Sequence, residues 1–259
     1  MFRRRRFRRK FIRARRRAFR RAVKRVVLKT AEPQKIVAAN FSQGFAEEDA
    51  AGPLAYVACP PSVLVQGDQD DQFTGNKVWI KGMLLRGHIF INQTTPGITA
   101  AMVIVTAVFT KEQGTGFQGG FIPFSSTTTS STNPAQTAPD VNPRFFDAAG
   151  SSAFTGNKFD ITFDSTNVKV LRQWKIPINF AGDVEGTLGA MPTLIKLYCP
   201  INRMVQIEDA GQQGMTTGTR RFKHGSWYYV LKVITGVAGG LNDTAVSGDF
   251  STQVFIRDP

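Results

Sequence analysis

After about residue 35 the apolar residues of this chain recur at short, strand-like spacing. Val78 and Ile80 alternate with Trp79 and Lys81, the period of two expected when one face of a strand meets a core. Runs such as Met102-Val103-Ile104-Val105 are apolar on both sides, which suits a strand covered on both faces. Between these runs stand clusters of Gly, Pro, Asn and Ser that make turns. The pattern predicts strands over Ile36–Ser42, Leu54–Ala58, Val78–Asn92, Ile98–Thr110, Lys158–Phe163, Val168–Phe180, Thr193–Ile207, Ser226–Thr235 and Thr244–Arg257. Such a series predicts an all-β fold: two antiparallel sheets forming a single jelly-roll sandwich of about eight or nine strands, not a seven-stranded immunoglobulin type. The 24 Gly and 21 Phe among 259 residues favour the same class.

The first thirty residues break this pattern. Phe7, Phe11, Ala14, Ala18, Ala22 and Val26 recur at helical spacing, with Ile12, Phe19 and Val23 beside them on the same wheel. Around that stripe stand thirteen Arg and three Lys, and no acid. Sixteen like charges at i,i+3 and i,i+4 spacing repel, so the segment is expected to be disordered alone and helical on a polyanion. Pro33 ends it. The domain division that follows is a basic arm, residues 1–30, and a jelly-roll domain, residues 31–259.

Charge sharpens this division. The whole chain carries +14 and the arm +16, which leaves 17 Lys and Arg against 19 Asp and Glu in the rest, a net of −2. A solvated polyarginine segment needs a counterion, and phosphate is the natural one. The guanidinium fork pairs with phosphate oxygens bidentately and stacks on bases. The candidate nucleic-acid-binding residues are therefore Arg3, Arg4, Arg5, Arg6, Arg8, Arg9, Lys10, Arg13, Arg15, Arg16, Arg17, Arg20, Arg21, Lys24 and Arg25. Clusters of this kind also serve as nuclear import signals, which makes host import receptors a second class of partner.

Other motifs carry less. Gly114-Thr115-Gly116-Phe117-Gln118-Gly119 matches a phosphate-binding glycine pattern, but the following Phe121-Ile122-Pro123-Phe124 opens no helix. His88 and His224 have no second ligand at metal spacing, and Asp68, Asp70 and Asp71 lack the spacing of a calcium loop. Cys59 and Cys199 sit in apolar stretches and are expected to be buried thiols, with pairing left open. Ser125–Pro139 is a low-complexity Ser/Thr segment expected to be a surface loop. Neither a secretory signal nor a membrane span is predicted, because arginine continues where an apolar region would stand and no apolar run reaches bilayer length. No enzyme chemistry, metal or cofactor is expected.

The arm at Phe2–Arg25, the strand Val78–Asn92, the stretch Phe159–Phe163 leading into Val168–Ile176, and the final strand Phe250–Pro259 together resemble the capsid proteins of circular single-stranded DNA viruses, the circovirus-like group. The chain departs from that pattern at Arg172-Gln173-Trp174, where the group often has Asp-Lys. The resemblance implies self-assembly of on the order of sixty copies into a small icosahedral shell. It further implies the arm inside on single-stranded DNA, long loops outside, and residence in the virion and the host cell nucleus, and it names no attachment receptor. Two alternatives stay open from the residues: a coat protein of a small single-stranded RNA or satellite virus, and a cellular nucleic-acid-binding β-domain.

The arm's role is measurable as a salt dependence. With about ten of its cations on single-stranded phosphates, the slope of log affinity against log salt should be roughly −7. A slope nearer −1 in a fluorescence-anisotropy titration would remove the arm as the main anchor.

Overall fold

The computed structural model describes residues 19, 22–23, 35–49, 52–64, 72–73, 77–91, 100–111, 120–124, 145–146, 148–149, 153–154, 162–179, 192–206, 222–235 and 244–257. The strands in chain order are β1 (Lys35–Ala46), β2 (Glu48–Asp49), β3 (Gly52–Pro53), β4 (Ala55–Ala58), β5 (Lys77–Ile91), β6 (Ala100–Thr110), β7 (Phe121–Phe124), β8 (Ala148–Ala149), β9 (Ala153–Phe154), β10 (Val168–Asn179), β11 (Thr193–Gln206), β12 (Ser226–Ile234) and β13 (Thr244–Arg257). A 3-10 turn, Pro60–Val63, follows β4.

Two antiparallel sheets make the body of the fold. One has the order β1-β13-β5-β11 and the other β10-β6-β12-β4-β7. If β1, β4, β5, β6, β10, β11, β12 and β13 are taken as the eight framework strands, the order becomes first-eighth-third-sixth in one sheet and fifth-fourth-seventh-second in the other. Successive strands thus cross between the sheets except the fourth and fifth, which pair as neighbours, and this is the double Greek key of a jelly roll. The fold expected from the alternation is the fold found.

The alternation determines which side chains meet. Along β12, Tyr229, Leu231 and Val233 point into the space between the sheets, while Tyr228 and Val230 point outward. From the opposite sheet Ile80, Met83, Leu85, Ile89, Val254 and Ile256 face them, all at 0% exposure. Fully burying such side chains contributes about 1.5–3 kcal/mol each. At one end the core is aromatic: Phe45 lies 4.8 Å from Tyr56, 5.6 Å from Phe121 and 5.5 Å from Phe250, ring centre to ring centre, each edge-on. Edge-on rings place positive rims on negative faces, which is the favourable arrangement.

The outer face of the five-stranded sheet is covered as well. Ala55, Val57, Cys59, Val108, Ile122, Tyr228 and Val230 are buried there with Phe145, and Phe146 and Phe163 pack on the cluster. Phe146 and Phe163 form an isolated antiparallel bridge with rings 5.5 Å apart. The strand expected over Lys158–Phe163 reaches the described residues at Thr162 and Phe163, with 158–161 outside them.

Besides the two-residue strands β2, β3, β8 and β9, one strand lies outside the predicted ranges: Phe121–Phe124 pairs with β4 as β7. Pro123 cannot donate to a ladder, yet β7 lies at the sheet's edge, where a missing donor is tolerated. Phe121, 2% exposed in the aromatic cluster, holds it there.

The two sheets are also bridged by a polar contact. The Tyr229 hydroxyl, on β12, lies 3.0 Å from the Met83 carbonyl and 2.8 Å from the Leu197 carbonyl, both in the opposite sheet. Burial holds its pKa well above the ordinary phenol value, so it stays a donor. Tyr229→Phe should cost about 1–3 kcal/mol, the penalty for leaving buried acceptors unpaired. The check is a urea titration in which the midpoint falls while the slope is unchanged.

Candidate nucleic-acid interface

The fifteen arm cations from Arg3 to Arg25 lie outside the described residues. Within the arm, Phe19, Ala22 and Val23 are described. They have helical backbone, and Phe19 and Val23 are 70% and 43% exposed. The apolar stripe at these positions is therefore not spent on the sandwich. The glycine motif at 114–119, the Ser/Thr segment 125–139 and Asp68, Asp70 and Asp71 also lie outside the described residues.

The sandwich adds something that net charge concealed. Thirteen of the 17 Lys and Arg beyond the arm fall among the described residues, against five of the 19 acids: Glu47, Glu48, Asp49, Asp164 and Asp249. Among the described residues the strand framework is therefore basic.

Five of these thirteen line one flank. β10 ends one sheet and β11 ends the other, and the two edge strands run close together. Lys169, Arg172 and Lys175 on β10 and Lys196 and Arg203 on β11 are exposed. Aromatic rings lie among them: the Arg172 guanidinium is 5.0 Å from the Trp174 ring, and Arg203 is 5.9 Å from the ring of Phe109. Val170, Leu171, Leu194 and Met204 on the same two strands are 38–82% exposed. Period-two alternation should have buried every second residue of β10, yet Lys169 through Gln173 are exposed in succession. A register shift between Val170 and Arg172 interrupts the pleat, and both faces of the strand turn outward there.

His88 has a partner that linear spacing could not reveal. Its Nε2 stands 3.0 Å from the Asp249 carboxylate, and the Ser42 hydroxyl donates to the other carboxylate oxygen. Antiparallel register aligns Ser42, Asp249 and His88 across β1, β13 and β5. In the next row Arg86 meets Gln253, whose amide oxygen, turned toward the guanidinium, accepts from Nη2 at 3.0 Å and Nε at 3.1 Å. A hydrolytic triad requires the base on the nucleophile. Here the carboxylate stands between serine and imidazole, so the row is a polar ladder across an exposed face. Among the described residues no group of three or more His, Cys, Asp or Glu could hold a metal, and no helix is long and apolar enough to cross a membrane.

The cysteines are free and buried. Cys59 belongs to the outer cluster of the five-stranded sheet and Cys199 to the core between the sheets, so the sheet itself separates them.

No known protein family and no curated protein matches this chain. Among solved structures it is similar to one of infectious bursal disease virus, Gx strain, at 12% identity and a TM-score of 0.11, covering 88% of this chain and 43% of that one. A likeness at that level carries no weight, and the chain spans less than half the length of that protein.

Burial pushes the Cys59 thiol up to about 12, against a hydrogen bond from Ser226 that pulls the other way. The folded pKa lies above the unfolded one, so this thiol's contribution to stability is full below the ordinary thiol value of 9.0 and is lost as pH rises toward 12. Iodoacetamide at about pH 8 should label neither cysteine in the folded protein and both after denaturation, since the thiolate is the nucleophile. Rapid labelling of Cys59 in the native protein would contradict its burial.

Proposed function

We propose that this chain is a viral coat protein that assembles into a small icosahedral shell and packages single-stranded nucleic acid through its arginine-rich arm. The observation that carries the reading is the separation of charge, +16 in thirty residues placed ahead of a jelly roll. A packaging protein needs a rigid part to tile and a polycation to neutralise a genome. The sequence divides itself between those two tasks.

Arithmetic supports a small genome. On the order of sixty arms at +16 supply about a thousand charges, enough for about a thousand phosphates at one charge per nucleotide. The β10–β11 flank supports assembly, because edge strands with exposed apolar side chains are surfaces that partners cover. We further propose single-stranded DNA as the cargo and nuclear entry through the same basic cluster, as the resemblance to circovirus-like capsids implies. No catalytic role is proposed for any residue. Phosphate neutralisation is common to DNA and RNA, so nuclease typing of co-purified nucleic acid separates the two cargoes.

Expressed full-length protein should form uniform hollow particles in negative-stain micrographs, with nuclease-typed DNA inside. Deleting residues 2–25 should remove at least nine-tenths of the co-purifying nucleic acid, on the order of the salt-sensitive affinity the arm supplies, while the far-ultraviolet β spectrum is retained. Soluble monomers at every salt concentration would count decisively against a coat protein.

A further inference from the structure

Where β6 ends, β12 begins and β11 ends, a pocket of about 170 Å³ opens to the surface. Phe109 and Trp227 form its aromatic wall, their ring centres 5.1 Å apart at 53°. Trp227 and Phe222 are buried, while Arg203, Met204 and His224 at the mouth are exposed. Among the described residues no Asp or Glu lines it.

The backbone holds this shape firmly. The Lys223 N–H donates to the Gln206 carbonyl at 2.9 Å, tying the turn before β12 to the end of β11. Gly225 has φ +93°, and a Cβ there would stand 1.9 Å from the Thr110 carbonyl oxygen. Glycine thus lets the turn press against the end of β6, and His224 in that turn lines the same pocket as Arg203. The pocket combines an aromatic wall with guanidinium and imidazole side chains at its mouth.

That chemistry selects a flat, anionic ligand. Aromatic faces accept any base by stacking, and a guanidinium can lie on a base or fork onto its phosphate. The volume is below the roughly 300–1,000 Å³ of drug-sized pockets, which restricts the occupant to a single small ring system. We propose that the pocket takes one nucleobase of the packaged single strand, lodged against the Phe109–Trp227 wall, with its phosphate on Arg203 and His224. The inference rests on the packaging reading and deepens it: the arm neutralises the strand, and the sandwich holds individual nucleotides in place.

Photocrosslinking of the full chain to a 5-iodouracil-substituted oligothymidylate of about twenty nucleotides, in about 0.1 M NaCl so that the arm stays bound, tests this. Mass spectrometry should find crosslinks at Phe109, Trp227 or the 222–224 turn as well as in the arm. Arg203→Ala, an exposed substitution, should lower the pocket crosslinks by about fivefold or more and leave the arm crosslinks unchanged. Thymidine monophosphate should compete for the pocket, and inorganic phosphate should not. Arm crosslinks with none in the pocket would overturn the pocket and leave the packaging reading standing, while crosslinks nowhere would remove both. Equal competition by phosphate alone, or pocket crosslinks untouched by Arg203→Ala, would also overturn base lodging.

Discussion

The contact between the two sheets is the constraint on which the rest of this protein depends. Inward side chains from β5, β13, β6 and β12 fill the space between them, and the Tyr229 hydroxyl crosses it to the carbonyls of Met83 and Leu197. Apolar burial drives the association but has no direction of its own. The buried hydroxyl and the edge-on rings around Phe45 supply the direction, because each is satisfied in one register of sheet on sheet. That register also determines the ends of the strands, and therefore where Phe109, Arg203 and Trp227 meet.

Besides its core, this jelly roll carries two regions where basic and apolar or aromatic side chains stand together. One is the flank of β10 and β11, where cations and apolar groups stand together on edge strands. The other is the aromatic pocket at the ends of β6, β11 and β12. Both carry basic side chains among the described residues.

Eight framework strands were legible from the spacing of apolar residues and the turn residues between them, because a strand must place apolar side chains on whichever of its faces is covered. The exceptions have specific causes. β7 was hidden by Pro123, whose lost donor disqualifies a central strand but costs little at an edge. The exposed run Lys169–Gln173 follows a register shift that no periodicity encodes. The fifteen arm cations were found by counting, since a charge run needs no fold to be recognised.

The amino-acid sequence by itself determined the fold class, the burial of the cysteines and the separation of a polycationic arm from a β domain, all of which follow from local composition and period. Tertiary structure alone decided the partners. His88 meets Asp249 because β5 and β13 are antiparallel at that register, and the pocket exists because the ends of three strands and a tight glycine turn converge. The physical reason is the same in each case. Side-chain period is a property of one strand, whereas a site is a property of the register between strands, and register is settled when the core closes.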